Sequence, residues 1–301
     1  MLISKSLNRA IGTMVDTGRR AMLALLAAMA VSFSSVGAAL ALPSEWGIGF
    51  QESVTTVMDD IHWFGNFTFW IIGVIVLFVA ALLVIVMVRF NEKANPNPSK
   101  TAHNTMIEIA WTVVPILILL VLAVPSFRLL YKQLEIPEAD LTVKVTGYQW
   151  YWGYEYPDTP DVLFDSIMLT DEERAEKGTN EPRLLAVDNE MVVPVNTTVR
   201  LQITSADVIH SYAMPVFGVK MDAVPGRLNE SWFRADREGI YYGQCSELCG
   251  KDHAFMPLVV RVVTQEQYDT WLAAAADDVE AANKALLASL EPETNLKLAA
   301  Q

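Results

Sequence analysis

The chain has 301 residues, 52% of them hydrophobic and only 19% charged, and its 35 acidic against 22 basic side chains leave a formal net charge of −13. So much apolar sequence exceeds what one soluble core absorbs and points to a bilayer. An acidic chain also repels nucleic acid, which excludes that class of partner.

Three uncharged stretches occur at 21–44, 67–88 and 109–127, each near the roughly 20 residues that cross a bilayer as a helix. The first is rich in Ala and Ser, follows Lys5, Arg9, Arg19 and Arg20, and reaches Ala39-Leu40-Ala41, a small-x-small cleavage pattern. Residues 1–41 are read as a signal peptide, with a retained anchor as the alternative, and 42–62 as an extracytoplasmic segment. The second stretch has Trp63 and Trp70 near one end and Arg89 at the other, predicting a transmembrane helix over 63–89 with an interfacial aromatic belt. The third contains Pro115 and Pro125, tolerated in a membrane helix whose neighbours satisfy the freed carbonyls. A second span is expected over 107–130. Between them, the loop at 90–106 and its flank carry Arg89, Lys93 and Lys100 against Glu92, so the positive-inside rule makes it cytoplasmic. The chain beyond Leu130 then faces outward, in agreement with a secretory leader.

From Tyr131 onward, 28 acidic residues face 14 basic ones. Such a surface speeds encounter with a cationic protein; solubility alone is the plainer explanation. Leu141, Val143 and Val145 alternate with polar neighbours, as do Val199, Leu201 and Ile203, the period of half-buried strands. Further strands are expected at 190–194, 230–235, 240–242 and 257–263, making 131–264 a β-sandwich or barrel. Residues 170–182 show no apolar period and read as a solvated insertion. Tyr268, Trp271, Leu272 and Ala275 place a helix at the start of 265–301, and the Ala-rich end beyond residue 282 is expected to be disordered or trimmed.

Both cysteines and two of the four histidines fall into one pattern: His210, then Cys245, Cys249 and His253, with Met256 behind. Thiolate, imidazole and thioether are donors that copper selects. A Cys245–Cys249 disulfide would explain only the two sulfurs. Zinc could use two Cys and two His but has little use for Met256. A mononuclear blue-copper site would take His210, Cys249, His253 and Met256 and leave Cys245 spare. Two copper ions sharing both sulfurs account for all five.

The run Gly243-Gln244-Cys245-Ser246-Glu247-Leu248-Cys249-Gly250 with His253 and Met256 resembles the CuA loop of subunit II of cytochrome c oxidase. The aromatic run from Tyr148 to Tyr156, the segment Asp207 to Ser211, the segment Asp222 to Arg227 and the preceding hairpin resemble that family too. The resemblance spans about 52–271, and the leader and acidic insertion suggest a bacterial member. It implies an all-β cupredoxin-like sandwich behind a two-helix membrane hairpin, in the bacterial cytoplasmic membrane with the C-terminal domain in the periplasm. It further implies a binuclear copper centre bridged by Cys245 and Cys249, with His210 and His253 terminal, Met256 weakly bound to one ion and the Glu247 carbonyl to the other. The Glu247 side chain would reach a Mg or Mn ion shared with the catalytic subunit. Trp150 would receive the electron from cytochrome c; Glu155, Asp188 and Asp207 match acidic docking positions, while Ala206 departs from an acid common in relatives. Glu108 matches the mouth of a proton pathway. The expected partners are the haem–copper catalytic subunit, further oxidase subunits, cytochrome c and lipid. No haem is expected in this chain, because His62 and His103 are the only other histidines and no Cys-x-x-Cys-His occurs. Nitrous oxide reductase would need many more histidines and no hairpin, and a quinol oxidase subunit would lack the cysteine pair.

Overall fold

A computed structural model describes residues 47–159, 161–177 and 181–299. The leader expected over 1–41 lies outside the described residues. Helix α1 spans Thr56–Arg89 and α2 spans Thr105–Leu134. The first starts seven residues before residue 63 because Thr55 caps it, its hydroxyl accepting from Met58 N at 3.0 Å, and Asp59 sits favourably in the first turn. Asn104 caps α2 by accepting from Met106 N and Ile107 N. Apart from Val57 and Met58, neither helix buries a residue within the chain. Their apolar faces therefore suit lipid or partner helices.

At the end next to the β-sandwich Lys132 Nζ ties the helices together, reaching Asp60 Oδ2 at 2.6 Å and Thr56 O at 3.1 Å. The hairpin then docks on the β-domain. Thr55 Oγ1 donates to Phe217 O at 2.9 Å, and Trp232 Nε1 donates to Lys132 O at 3.3 Å. Gly218 allows this approach: its φ is +72°, and a Cβ there would lie 2.8 Å from Ile61 Cδ1.

The strands are β1 (Leu141–Tyr148), β2 (Tyr151–Glu155), β3 (Leu163–Ser166), β4 (Met191–Pro194), β5 (Val199–Ser205), β6 (His210–Met214), β7 (Val219–Ala223), β8 (Asn229–Phe233), β9 (Gly239–Cys245) and β10 (Pro257–Val263). They form two five-stranded sheets, ordered β3-β2-β1-β5-β8 and β4-β10-β9-β6-β7. Each sheet is mixed, with β1 parallel to β5 and β10 parallel to β4. Between the sheets, Val143, Val145, Leu201 and Ile203 of the first meet Tyr212, Met214, Leu258 and Val260 of the second. Trp152 is fully buried in the same core.

Four strands escape the hydrophobic pattern: β2, β3, β6 and β7. All five residues of β6 are buried, so it shows no polar alternation. Two helices differ from the expectation. Helix α3 (Asp171–Lys177) occupies the insertion. It is started by a reciprocal cap in which Thr170 Oγ1 accepts from Glu173 N and Glu173 Oε2 accepts from Thr170 N. After α4 (Gln265–Ala275), α5 runs over Val279–Ala299, where the composition predicts disorder beyond residue 282. Ala282 and Leu286 bury one face of α5, and Trp271 Nε1 donates to Asn283 Oδ1 at 2.7 Å, so tertiary packing stabilises a segment of weak pattern.

Candidate metal centre

Strand β9 delivers Cys245 at its end, and β6 begins with His210. These strands pair antiparallel, with Tyr212 opposite Cys245, and Ser246 N donates to Ser211 O at 3.0 Å. Gly243 lets them close, since a Cβ there would fall 2.2 Å from Ala213 O. The loop after Cys245 turns through Gly250 (φ +129°) and a single 3-10 turn, His253–Phe255, before β10 carries the chain away behind Met256. Trp152 Nε1 donates to Met256 O at 3.2 Å and its ring stands edge-on to His210, at 5.9 Å between centroids.

The five donors converge. Cys245 Sγ and Cys249 Sγ are 3.9 Å apart, and His253 Nδ1 and Met256 Sδ each lie 3.5 Å from Cys249 Sγ. One ligand atom each of His210, Cys245 and Cys249 lies within 4.8 Å of the others. The Glu247 carbonyl oxygen is 3.4 Å from Cys245 Sγ, while its side chain is exposed.

This geometry fits a soft metal and disfavours a disulfide. The sulfurs are free and stand far beyond the ~2.05 Å of an S–S bond, but close enough for one ion to touch both at about 2.3 Å. His210 Nε2 is engaged by Asp207 Oδ1 at 2.8 Å, whereas Nδ1 is buried without a hydrogen-bond partner. An orphaned imidazole nitrogen beside two thiols is the arrangement a metal satisfies.

The electrostatics are asymmetric. Burial opposes ionisation of Cys245, but favourable contacts with the His210 and His253 rings and with the backbone at Glu247 and Ser211 together outweigh it and lower its pKa. Burial and then the neighbouring Cys245 charge raise that of Cys249. One thiol therefore ionises readily and the second resists until a cation arrives. Burial opposes charge on Asp207 too, but hydrogen bonds from His210 and from Val208 N and Gln149 N win and lower its pKa.

Trp150 sits at the β1–β2 turn, after a cis Gln149–Trp150 peptide, half-buried with Nε1 3.3 Å from Cys249 O. Lys251 Nζ lies 5.6 Å from its ring centre. Asp207, exposed beside the centre, thus also orients a candidate ligand. Glu155 pairs with Lys144 Nζ at 2.8 Å. Asp188 Oδ1 accepts from Ile167 N and Asn189 N, both at 2.7 Å. Glu108 lies in the first turn of α2, its Oε1 accepting from Asn104 N at 3.1 Å. Sequence reasoning misses Gln149, whose Nε2 donates to Cys249 O at 2.8 Å across 100 positions, and Gly147, against which His210 packs. No local pattern marks either.

Comparison with known proteins places the chain in a family. The family model described as cytochrome c oxidase subunit II, periplasmic domain, matches residues 141–263, and that of the subunit II transmembrane domain matches 43–129. The chain is 54% identical over 231 residues to a probable cytochrome c oxidase subunit 2 of Rickettsia bellii, covering 77% of this chain and 85% of that one. It is 49% identical over 273 residues to cytochrome c oxidase subunit 2 of Cereibacter sphaeroides, covering 85% and 88%. The crystal structure of the periplasmic domain of subunit II from Bradyrhizobium japonicum is 58% identical, covering 47% of this chain and 96% of that one, with a TM-score of 0.43.

Proposed function

Because the chain belongs to the cytochrome c oxidase subunit II family, we propose that it is the oxidase's electron acceptor, taking electrons singly from cytochrome c and passing them to the haem–copper catalytic subunit. It is a membrane-anchored subunit of cytochrome c oxidase; oxygen reduction belongs to the partner. The observation that carries the proposal is the convergence of two free sulfurs 3.9 Å apart with His253 Nδ1 and Met256 Sδ, beside an unpartnered His210 Nδ1.

Cys245 and Cys249 are assigned as bridging thiolates, His210 and His253 as terminal donors, and Met256 Sδ and the Glu247 carbonyl as weak ones. Two copper ions held in this way would supply a one-electron carrier whose unpaired electron is shared, so that bonds change little on reduction. Both cysteines are buried, with Met256 beside Cys249 Sγ and Tyr212 paired with Cys245, which limits water at the sulfurs. Met256, buried 3.5 Å from Cys249 Sγ, favours copper over zinc. The exposed Glu247 carboxylate is free to bind Mg or Mn at the boundary with the catalytic subunit.

Trp150 is assigned as the receiving group, because its indole N–H hydrogen-bonds directly to the backbone of a sulfur ligand. The acidic surface, with Asp207 bonded to Gln149 next to Trp150 and with Glu155 and Asp188 as further carboxylates, attracts a basic cytochrome c. Glu108 is retained as a proton-pathway residue at the loop-side end of α2. The membrane is the bacterial cytoplasmic membrane, with the sandwich in the periplasm.

The test mixes the full-length copper-loaded chain, in detergent and without its catalytic partner, with reduced cytochrome c. The account expects oxidation of one cytochrome per chain, much slowed in Trp150→Phe. Cytochrome c that stays reduced contradicts it.

A further inference from the structure

The carbonyl of Cys249 is a junction. An sp² oxygen has two lone pairs roughly in the carbonyl plane. Here one donor is Gln149 Nε2 at 2.8 Å and the other is Trp150 Nε1 at 3.3 Å. The peptide that bears this oxygen is hinged on Gly250, whose φ of +129° few residues other than glycine adopt. A peptide next to glycine rotates easily, so its orientation is set by what grips its oxygen. Of the two grips the Gln149 bond is the shorter. A Cβ on Gly250 would lie 2.9 Å from Trp150 Cζ2 and 3.2 Å from Gln149 Nε2, so both side chains close tightly over that hinge.

The other end of Gln149 is also fixed. Its backbone N–H donates to Asp207 Oδ2 at 2.7 Å, and Asp207 Oδ1 receives His210 Nε2 at 2.8 Å. Gln149 therefore joins the two segments that carry the candidate ligands: the His210 strand through Asp207, and the cysteine loop through the Cys249 carbonyl.

We infer that Gln149 is a positioning residue which, with Asp207, holds the two ligand segments in register and aims the Cys249 carbonyl at the indole N–H of Trp150. The inference rests on the proposed electron-accepting role of this site. Without the side-chain amide, the Cys249–Gly250 peptide turns on its glycine and the Trp150 bond lengthens. Its loss also removes a donor from a ligand's own peptide, leaving more electron density at the centre and favouring its oxidised form.

The test uses the intact oxidase carrying Gln149→Met, which keeps the length of the side chain and removes the donor, and Gln149→Glu, which sets a carboxylate against the carbonyl. The wild-type oxidase, with its copper paramagnetic signal and its reduction by cytochrome c, is the control; failure there would overturn the electron-accepting role itself. Both variants are expected to retain copper, to show an altered hyperfine pattern and a lower copper reduction potential, and to lose about tenfold in kcat. With a basic cytochrome c, KM in Gln149→Glu should be no higher than in wild type, because the added charge is attractive. If Gln149 served only as part of a docking surface, Gln149→Met would raise KM while the spectrum and potential stayed unchanged, and Gln149→Glu would raise kcat/KM. Either result overturns the inference. Loss of copper from both variants would also overturn it, since the ligands would then depend on Gln149 for binding rather than alignment.

Discussion

Gly147 is the least conspicuous residue of the site, and replacing it with alanine should damage the metal centre without replacing any candidate ligand. A Cβ there would lie 2.9 Å from His210 Cδ2, 3.0 Å from Cγ and 3.2 Å from Cβ. Carbon pairs rest at about 3.5–4.0 Å, so the ring must yield by roughly 0.5–1 Å. It has little room, because Trp152 stands edge-on to it, Asp207 holds Nε2 at 2.8 Å and His210 is fully buried. Overpacking of this kind costs about 1–3 kcal/mol. If the cost falls on the metal-bound ring, copper affinity drops roughly 5- to 150-fold, since about 1.4 kcal/mol is tenfold. The assay is competition between the full-length chain in detergent and a chelator of known affinity, with the paramagnetic spectrum taken alongside. Affinity and hyperfine pattern both equal to wild type would refute the reasoning, for they would mean that His210 does not hold metal or is free to move.

Arg261 and Glu190 form a bidentate pair whose side chains are only 13% and 9% exposed. Arg261→Ala strands the carboxylate and should lower stability by about 3–5 kcal/mol in denaturant titration, while Arg261→Met with Glu190→Leu should recover most of the loss; equal losses in both would contradict this. Burial is the chief cause of the raised pKa of Asp188, only partly offset by backbone donors, so its charge costs more folded than unfolded. That cost is present at neutral pH and fades as pH falls through the carboxyl range. Asp188→Asn keeps the accepting oxygen, so it should be no less stable than wild type at pH 7, with any advantage shrinking in acid; a marked loss at pH 7 would show that the carboxylate stabilises the fold. With a basic cytochrome c, kcat/KM should fall as ionic strength rises, because the screening length shrinks to about 8 Å at physiological salt, and a salt-independent rate would remove electrostatic steering.

The membrane hairpin is legible in the sequence because two long apolar runs bracket a basic loop, and β1, β5 and β10 because their residues fit a strand pattern. Strand β2 alternates as well, with Trp152 and Tyr154 buried between Tyr151, Gly153 and Glu155, but a run of aromatics conceals the period. Strand β7 is a short edge strand with Lys220 and Asp222 exposed, which leaves little apolar signal. The cap of α3 is present in the sequence as Thr170 and Glu173 but goes unnoticed for want of an apolar face. At the site, the candidate ligands are readable from residue type and spacing. The contacts that hold the ligands are not: Gln149 meets Asp207 across 58 positions and Cys249 across 100, and such contacts exist only after the two sheets pack.

The central claim is that two metal ions share the Cys245 and Cys249 sulfurs. The measurement that tests it most directly is copper stoichiometry with electron paramagnetic resonance on the purified full-length chain. The account predicts two coppers per chain and a seven-line hyperfine pattern, from one electron spread equally over both nuclei, abolished in Cys245→Ser and in Cys249→Ser. One copper with a four-line pattern, or bound zinc with no signal, would contradict it.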